Sequence, residues 1–375
     1  MRQLLLKTDI HKFDTFKEFV EEFKLTEDDL LFTNEWLYKP YMEHLNLPCQ
    51  VYFQEQYGLT EPTDIMYNSI MADLKKLNYK RIIAVGGGTV VDMAKWMASE
   101  MPDDIYDAYK LNPTFFPKHI KELVIIPTTC GTGSEVTNIA MIYLTKENTK
   151  KGCANNELFA DYAVLIPEFL KTLPYNPFMY SAIDALIHAV ESYVGRRYTD
   201  ASRLFGKRAI ELLMNGFKKM VEEGPDARFE ILEDFSIGSN YAGIAFGTGG
   251  CNAVHAMSFP LGGMFHVAHG ESNYALFTTV MKFYARKNPT GAIKDINRVL
   301  ADILGLDTDG PEVYDALEEA LCSLIRRKPL REYGVNEEIC AEMADLVIEQ
   351  QQRLMTNTYV EMDYNDVYNL YLQCL

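Results

Sequence analysis

The stretch KRIIAVGGGTVVDMAKWMAS, Lys80 to Ser99, decides the fold. It reads as an apolar strand, three consecutive glycines and then a helix. Consecutive glycines let the backbone take positive φ and approach a ligand closely. The helix that follows offers free N–H groups and the positive end of its dipole, which suits a pyrophosphate. Gly86, Gly87, Gly88 and Thr89 are therefore candidate phosphate contacts. A tight turn with no ligand explains the same glycines equally well. Asp92, in the first helical turn, is a further cofactor-binding candidate, although an acid is favoured there anyway, and Lys95 is expected in solvent.

Further strand-like runs flank this unit: DLLFTN (Asp29–Asn34), QVYFQEQ (Gln50–Gln56) and ELVIIPTT (Glu122–Thr129). Between them stand the helix-like segments EWLYKPYMEHLN and TDIMYNSIMADLKKLN. Strands alternating with helices imply βαβ units and a parallel sheet, and the apolar strand centres fit a sheet covered on both faces. A second cluster of small residues, PTTCGTGSEVTN (Pro127–Asn138), follows the last of these strands. Its hydroxyls and N–H groups can reach phosphates or ribose, because ligands of open α/β sheets bind beyond the carboxyl ends of strands. Thr128, Thr129 and Ser134 are candidates there, although an ordinary capped loop accounts for Ser134 too.

The pattern changes after YAVLIPEFLKTLP (Tyr162–Pro174). Long amphipathic periods take over, as in DASRLFGKRAIELLMNGFKKMVEE (Asp200–Glu223) and NEEICAEMADLVIEQQQRLM (Asn336–Met355). The expected architecture is an α/β domain over residues 1–166 and a helical domain over residues 167–375. A chain of 375 residues is long enough for two cores. Its net charge of −17 argues against nucleic-acid and anionic-membrane partners. No apolar run is long enough for a transmembrane helix, and the start is too short in apolar residues for a signal peptide. Seven scattered cysteines, with no CxxC pair, fit reduced thiols in a cytoplasm.

Within the helical half, SAIDALIHAVESYVG (Ser181–Gly195) places Asp184 and His188 four residues apart, on one helical face. Four of the seven histidines lie between 188 and 269. Two stand in CNAVHAMSFPLGGMFHVAHGESNYAL: His255 in a helical run, and His269 just before Gly270. Pro260 and the Gly262–Gly263 pair are expected to interrupt that helix and fold the chain back. One carboxylate and three imidazoles make a complete shell for Fe(II) or Zn(II), whereas Mg and Ca prefer oxygen ligands. Such a shell can be structural; in a domain facing a nucleotide site, catalysis is the stronger reading. His266 is expected in packing or just behind the ligands, with His11, His44 and His119 peripheral.

The motifs GGGTVVDMAK, PTTCGTGSEVT, DALIHAVESYV and AVHAMSFPLGG…HVAHG occur in that order, with fourteen residues from His255 to His269. With them the chain resembles the iron-containing (group III) alcohol dehydrogenases over essentially its whole length. The resemblance implies an N-terminal Rossmann-like domain similar to that of dehydroquinate synthase, and a helical metal-binding domain, with NAD(H) in the cleft between them. It implies that Asp184, His188, His255 and His269 hold the metal, and that Gly86, Gly87, Gly88 and Thr89 cradle the pyrophosphate. Thr128 and Thr129 would line the cofactor site, with Lys150, or its neighbour Lys151, on the ribose. Phe246, in GIAFG, would lie against nicotinamide or substrate. A homodimer or larger homo-oligomer is implied as well.

Within the family, HKFDT, FQEQYGLTEP, DFSIGSNYAGIAFG, RKPLREYG and QQRLMTN liken the chain to members that interconvert 4-hydroxybutyrate and succinate semialdehyde. A substrate with a distal carboxylate needs a donor, best an arginine. Arg353 is the candidate, a surface arginine being the plain alternative; Arg326, Lys328 and Arg331 look like a solvated helix end. Three positions depart from the family pattern. Phe259 replaces a histidine that often relays the proton. Asn34 replaces an acid that disfavours NADP. Asn357-Thr358-Tyr359 stands where Asn-Pro-Arg is common and is expected to reshape the substrate pocket. Two other activities use the same parts: alcohol or diol oxidation without a carboxylate, and a metal- and NAD-using lyase.

Overall fold

Each apolar run of the first half becomes a strand that ends where the next turn signal begins. In chain order the strands are β1 Asp9–Lys12, β2 Asp29–Thr33, β3 Gln50–Phe53, β4 Arg81–Gly86, β5 Ser99–Glu100, β6 Lys118–His119, β7 Glu122–Pro127, β8 Ile139–Leu144, β9 Thr149–Ala154 and β10 Tyr162–Leu165. This computed structural model describes residues 2–100, 104–107, 118–147 and 149–375. Six strands form one parallel sheet in the order β1-β10-β7-β4-β2-β3. β5–β6 and β8–β9 are small antiparallel pairs. The helices between strands are α1 Phe16–Phe23, α2 Glu35–Tyr41, α3 Asp64–Leu74 and α4 Gly88–Met97.

Strand alternation builds two apolar layers. Leu30, Phe32, Ile82 and Ala84 point into one buried cluster, and Leu31, Ile83 and Val85 into the other. This is the doubly covered sheet that the strand composition implies. From β2 the chain steps outward to β3, then returns to place β4 on the other side of β2. Strand order therefore reverses between β2 and β4, and such a switch point is where open α/β sheets bind ligands. Across it Thr33 Oγ1 donates to the Val85 carbonyl at 2.8 Å.

The turn after β4 is held close to the sheet. A Cβ on Gly86 would fall 2.6 Å from both Cβ and Cγ2 of Val90, in the first turns of α4. Farther along α4, Lys95 corrects the expectation of a solvated lysine, because none of it is exposed. Its ammonium donates to Ser134 Oγ (2.8 Å), the Thr137 carbonyl (2.9 Å) and the Ile139 carbonyl (2.6 Å). With Thr137 Oγ1 a fourth acceptor at 3.3 Å, all three N–H bonds are met and the charge is tolerated. Burial pushes Lys95 down to about 8, while Asp92 and Glu135 work the other way.

The second half is helical: α5 Tyr175–Val194, α6 Asp200–Glu223, α7 Leu232–Gly249, α8 Ala253–Phe265, α9 His269–Lys287, α10 Ala292–Leu304, α11 Val313–Leu324, α12 Glu337–Gln350, α13 Gln352–Met355 and α14 Tyr364–Gln373. By contacts, residues 6–129 and 133–173 form one unit, and residues 1–5, 130–132 and 174–375 another. Phe169 lies in the apolar layer under the sheet, so the turn Pro167–Thr172 stays with the α/β unit. Among the described residues, no helix is long and apolar enough to cross a membrane.

The break expected at Pro260 does not occur, since α8 runs through it to Phe265. An interior proline costs about 3 kcal/mol. Here it is offset by burial of Ala256, Met257 and Leu261 on the same helix. The Tyr371 hydroxyl also donates to the Met257 carbonyl at 2.6 Å, engaging a carbonyl of the proline's own turn. The chain folds back only at His266, which takes the left-handed conformation (φ 54°) at the end of α8.

Candidate active site

In the helical unit, α5, α8 and α9 bring one aspartate and three histidines together. Asp184 and His188 share a face of α5; His255 sits in the first turn of α8; His269 opens α9. Gly270 permits this approach, because a Cβ there would sit 2.4 Å from the Tyr180 carbonyl oxygen of α5. Asp184 Oδ1 lies 3.8 Å from His269 Nε2 and 4.0 Å from His255 Nε2. One ligand atom from each of the four residues lies within 4.8 Å of the others. Tetrahedral ligands around a shared Zn(II)- or Fe(II)-sized ion stand about 3.4 Å apart, so a small inward shift completes the shell.

The imidazoles are oriented from behind. His188 Nδ1 lies 3.3 Å from the Gly131 carbonyl. A carbonyl only accepts, so Nδ1 carries the proton and Nε2 is free to bind. Burial depresses His188 to about 4, with the His255 charge adding to that and Asp184 opposing it, and the ring is neutral at working pH. Burial alone would raise Asp184, but the three histidines and a bond from Asn273 outweigh it and keep the carboxyl below its ordinary value. For His255 burial disfavours charge, yet Cys251 and Glu191 push its basicity well above the usual range.

Asn273 Nδ2 donates to Asp184 Oδ1 at 2.7 Å and lies 3.2 Å from Nε2 of both His255 and His269. A donor thus sits among acceptors where a cation would be welcome, and Asn273 Oδ1 is buried with no partner among the described residues. That orphaned oxygen, with the mixed N/O donor set, fits a divalent transition metal.

Two family models cover nearly all of the chain. Residues 11–167 match the model for iron-containing alcohol dehydrogenase, and residues 178–375 the C-terminal model of the Fe-containing alcohol dehydrogenase family. The chain belongs to the iron-containing alcohol dehydrogenase family. It is 51% identical to 4-hydroxybutyrate dehydrogenase of Clostridium kluyveri over 99% of each chain. It is 34% identical to long-chain-alcohol dehydrogenase 1 of Geobacillus thermodenitrificans over 77% of this chain and 73% of that one. Among solved structures, sulfoacetaldehyde reductase from Bifidobacterium kashiwanohense in complex with NAD+ superposes with a TM-score of 0.85 at 20% identity, covering 100% of this chain and 98% of that one. A 1,3-propanediol oxidoreductase gives 0.80 at 19% identity, covering 100% of both. These structural likenesses are of fold.

The other sequence candidates of this iron-type dehydrogenase fall into distinct places. Phe246, on α7, stacks on His188 with ring centroids 4.3 Å apart. Phe259 lies 6.2 Å from the His269 ring, with the two planes tilted by 32°. Arg353 is exposed on α13. Its carbonyl accepts from Arg197, which lies beyond the end of α5. Asn357 is buried and donates to the Gly249 and Cys251 carbonyls, tying the end of α7 to the start of α8. His266 corrects its expected place: it is exposed at the helix end rather than packed behind the ligands.

In the α/β unit, Asn34 and Gly86–Thr89 follow the two strands that flank the switch point. Thr128 and Thr129 follow β7, where the Thr128 amide donates to the Gly86 carbonyl at 3.0 Å. Asn34 is buried and donates to Gln54 Oε1 at 3.1 Å. Lys150 pairs with Glu61 at 2.9 Å. Adjacent Glu61 is Thr60, whose carbonyl accepts from the Thr89 hydroxyl at 3.3 Å. Lys151, one residue on along β9, faces Glu147 instead at 3.9 Å. Asp92 and Ser134 are buried in the Lys95 network, with Ser134 Oγ donating to Asp92 Oδ1 at 2.8 Å.

The sequence reading missed Glu191 and Asn273. Both carried a signal: Glu191 is the second acid, after Asp184, in the apolar run DALIHAVESYV, and Asn273 follows His269 by one helical turn.

Proposed function

We propose that this chain is a metal-dependent, NAD-linked 4-hydroxybutyrate dehydrogenase, interconverting 4-hydroxybutyrate and succinate semialdehyde. The observation that carries this reading is the 51% identity over 99% of both chains to the enzyme of that name, together with the Asp184/His188/His255/His269 cluster. A bound Fe(II) or Zn(II) supplies Lewis acidity at the aldehyde oxygen, and NADH supplies the hydride. Asp184, His188, His255 and His269 would hold that ion, with Asp184 the one carboxylate among the four. Phe246 covers one face of His188 and keeps water from it. Gly86–Thr89 and the Thr128–Thr129 turn bind the dinucleotide phosphates, with Lys150 on the ribose. Asn34 is neutral, so NAD over NADP rests on other contacts. With Phe259 in the relay position, that side chain carries no proton, and water or a ribose hydroxyl of the bound cofactor would have to supply it.

Arg353 is the proposed carboxylate donor. Its exposure on α13 favours the second reading, a broader alcohol dehydrogenase without carboxylate recognition. The buried thiols of Cys49, Cys130, Cys251, Cys340 and Cys374 support a reducing, cytoplasmic setting. Membership of the iron-containing alcohol dehydrogenase family supports a homo-oligomer.

The test is anaerobic NADH oxidation by the Fe(II)-loaded enzyme with succinate semialdehyde and with butyraldehyde. A hydrogen-bonded charge contributes 1.5–3 kcal/mol, so kcat/KM is expected to be about 10- to 100-fold higher for the semialdehyde. Equal values would reduce the reading to the broader dehydrogenase. Aldehyde consumption at constant NADH absorbance would favour lyase chemistry.

A further inference from the structure

Behind the Asp184/His188/His255/His269 cluster stands a carboxylate that is not one of its four members. Glu191 lies on α5, seven residues after Asp184 and three after His188, with none of its surface exposed. A carboxylate buried to that extent must have its lone pairs met. Oε1 accepts from the Val254 amide at 2.7 Å. Oε2 accepts from the Asn252 amide at 3.1 Å and lies 2.6 Å from His255 Nδ1. An oxygen already taking one amide proton can take a second from the ring, so Nδ1–H donates. The main-chain carbonyl of the same residue accepts from Asn252 Nδ2 at 2.9 Å.

Two of these donors are backbone amides at the start of α8, the helix that carries His255. The first N–H groups of a helix have no partner within it, and a negative charge there also meets the positive end of the dipole. Glu191 thus fixes where α8 begins and how the His255 ring is turned. Once Nδ1 holds its proton against the carboxylate, Nε2 is the bare nitrogen, and Nε2 is the atom facing Asp184 Oδ1 at 4.0 Å.

We propose that Glu191 is a positioning residue that sets the metal affinity of this site through His255, by locking the ring tautomer and the start of α8 with one carboxylate. The proposal rests on the Asp/His cluster being the metal site, and not on the identity of the substrate. Outer partners of ligating histidines typically contribute 10- to 100-fold in metal affinity. His188 Nδ1 hydrogen-bonds to a neutral carbonyl, with the Asp184 carboxylate farther off at 3.9 Å, whereas His255 Nδ1 meets a carboxylate at 2.6 Å, which makes His255 the better donor of the two rings.

The test uses the full-length apoprotein, Zn(II) and a colorimetric chelator as competitor, with Glu191→Gln, Glu191→Asp and Asn252→Ala. Gln keeps the volume and one acceptor oxygen but loses the charge and cannot serve all three donors. Zn(II) binding by Glu191→Gln is expected to weaken about 10- to 100-fold, with the NADH Kd within about twofold of wild type. The visible absorption of the Co(II)-loaded form is expected to shift, reporting an altered ligand set. Asn252→Ala also disturbs the start of α8 but leaves the carboxylate on the ring, so it is expected to retain most of the affinity. If Glu191→Gln does not fold, Glu191→Asp, which keeps the charge on a shorter arm, carries the same comparison. Zn(II) affinity and Co(II) spectrum unchanged in a folded Glu191 variant overturn the proposal. So does an equal loss in Asn252→Ala, which assigns Glu191 to the helix start alone. Wild-type protein that binds no Zn(II) instead overturns the metal-site reading beneath it.

Discussion

Asp184→Asn is expected to lower kcat/KM by about three orders of magnitude or more, with little change in fold. The substitution preserves shape but removes the one negative charge among the four converging side chains. A divalent ion held by neutral groups alone is bound more weakly and is left with uncompensated buried charge. The Lewis acid contributes several kcal/mol to the barrier, and each 1.36 kcal/mol is a tenfold change in rate. The Asn273 amide, which donates to Asp184 Oδ1 at 2.7 Å, keeps an acceptor in the amide oxygen of the variant, so the helices need not move. Metal content by atomic absorption, steady-state kinetics and thermal melting on the same preparation check this. An active, metal-loaded Asp184→Asn enzyme would remove Asp184 from the site.

Gly86→Ala is expected to damage the other unit. The new methyl would lie 2.6 Å from Val90 Cβ and Cγ2 and 2.9 Å from Cγ1, well inside contact distance. Val90 is β-branched and buried, so it has no free rotamer to escape into, and α4 must pull away from the end of β4. Overpacking of this kind costs about 1–3 kcal/mol. A melting temperature lower by roughly 5 °C is the corresponding reading. The displaced turn holds Gly87, Gly88 and Thr89, so NADH binding is expected to weaken at least about tenfold while Zn(II) binding is unchanged. Adding Val90→Ala, which removes the clashing methyls, is expected to restore part of both losses. A double-mutant cycle measures that coupling, and simple additivity would mean that the clash is not the cause.

The parallel sheet was legible because β2, β3, β4 and β7 are each a short apolar run ending at a turn signal, and both faces are buried. β1 was not legible. DIHK is largely polar and lies at the sheet edge, and its partner Tyr162–Leu165 is more than 150 residues away in the chain. The hairpin of β8 and β9 was hidden too, because Lys150, Lys151 and Gly152 leave β9 without an apolar run. Pro260 misled, since local propensity yields to tertiary burial in a helix as buried as α8. The convergence of Asp184, His188, His255 and His269 was legible from residue type and spacing. Glu191 was overlooked although it stands in the same motif, because its role depends on α8, some sixty residues later in the chain. Lys95 was misplaced for a similar reason: its acceptors at Ser134, Thr137 and Ile139 come from a distant segment.

The central claim is that the Asp184/His188/His255/His269 cluster is the catalytic metal site of this dehydrogenase. Anaerobic titration of the chelator-stripped enzyme with Fe(II) tests it most directly, with bound metal and NADH oxidation by succinate semialdehyde read on each sample. Activity is expected to be absent without metal, to rise in proportion to bound iron, and to level off at one ion per chain. Full activity in the stripped enzyme, or one tightly bound ion per chain with no gain in rate, would contradict the account.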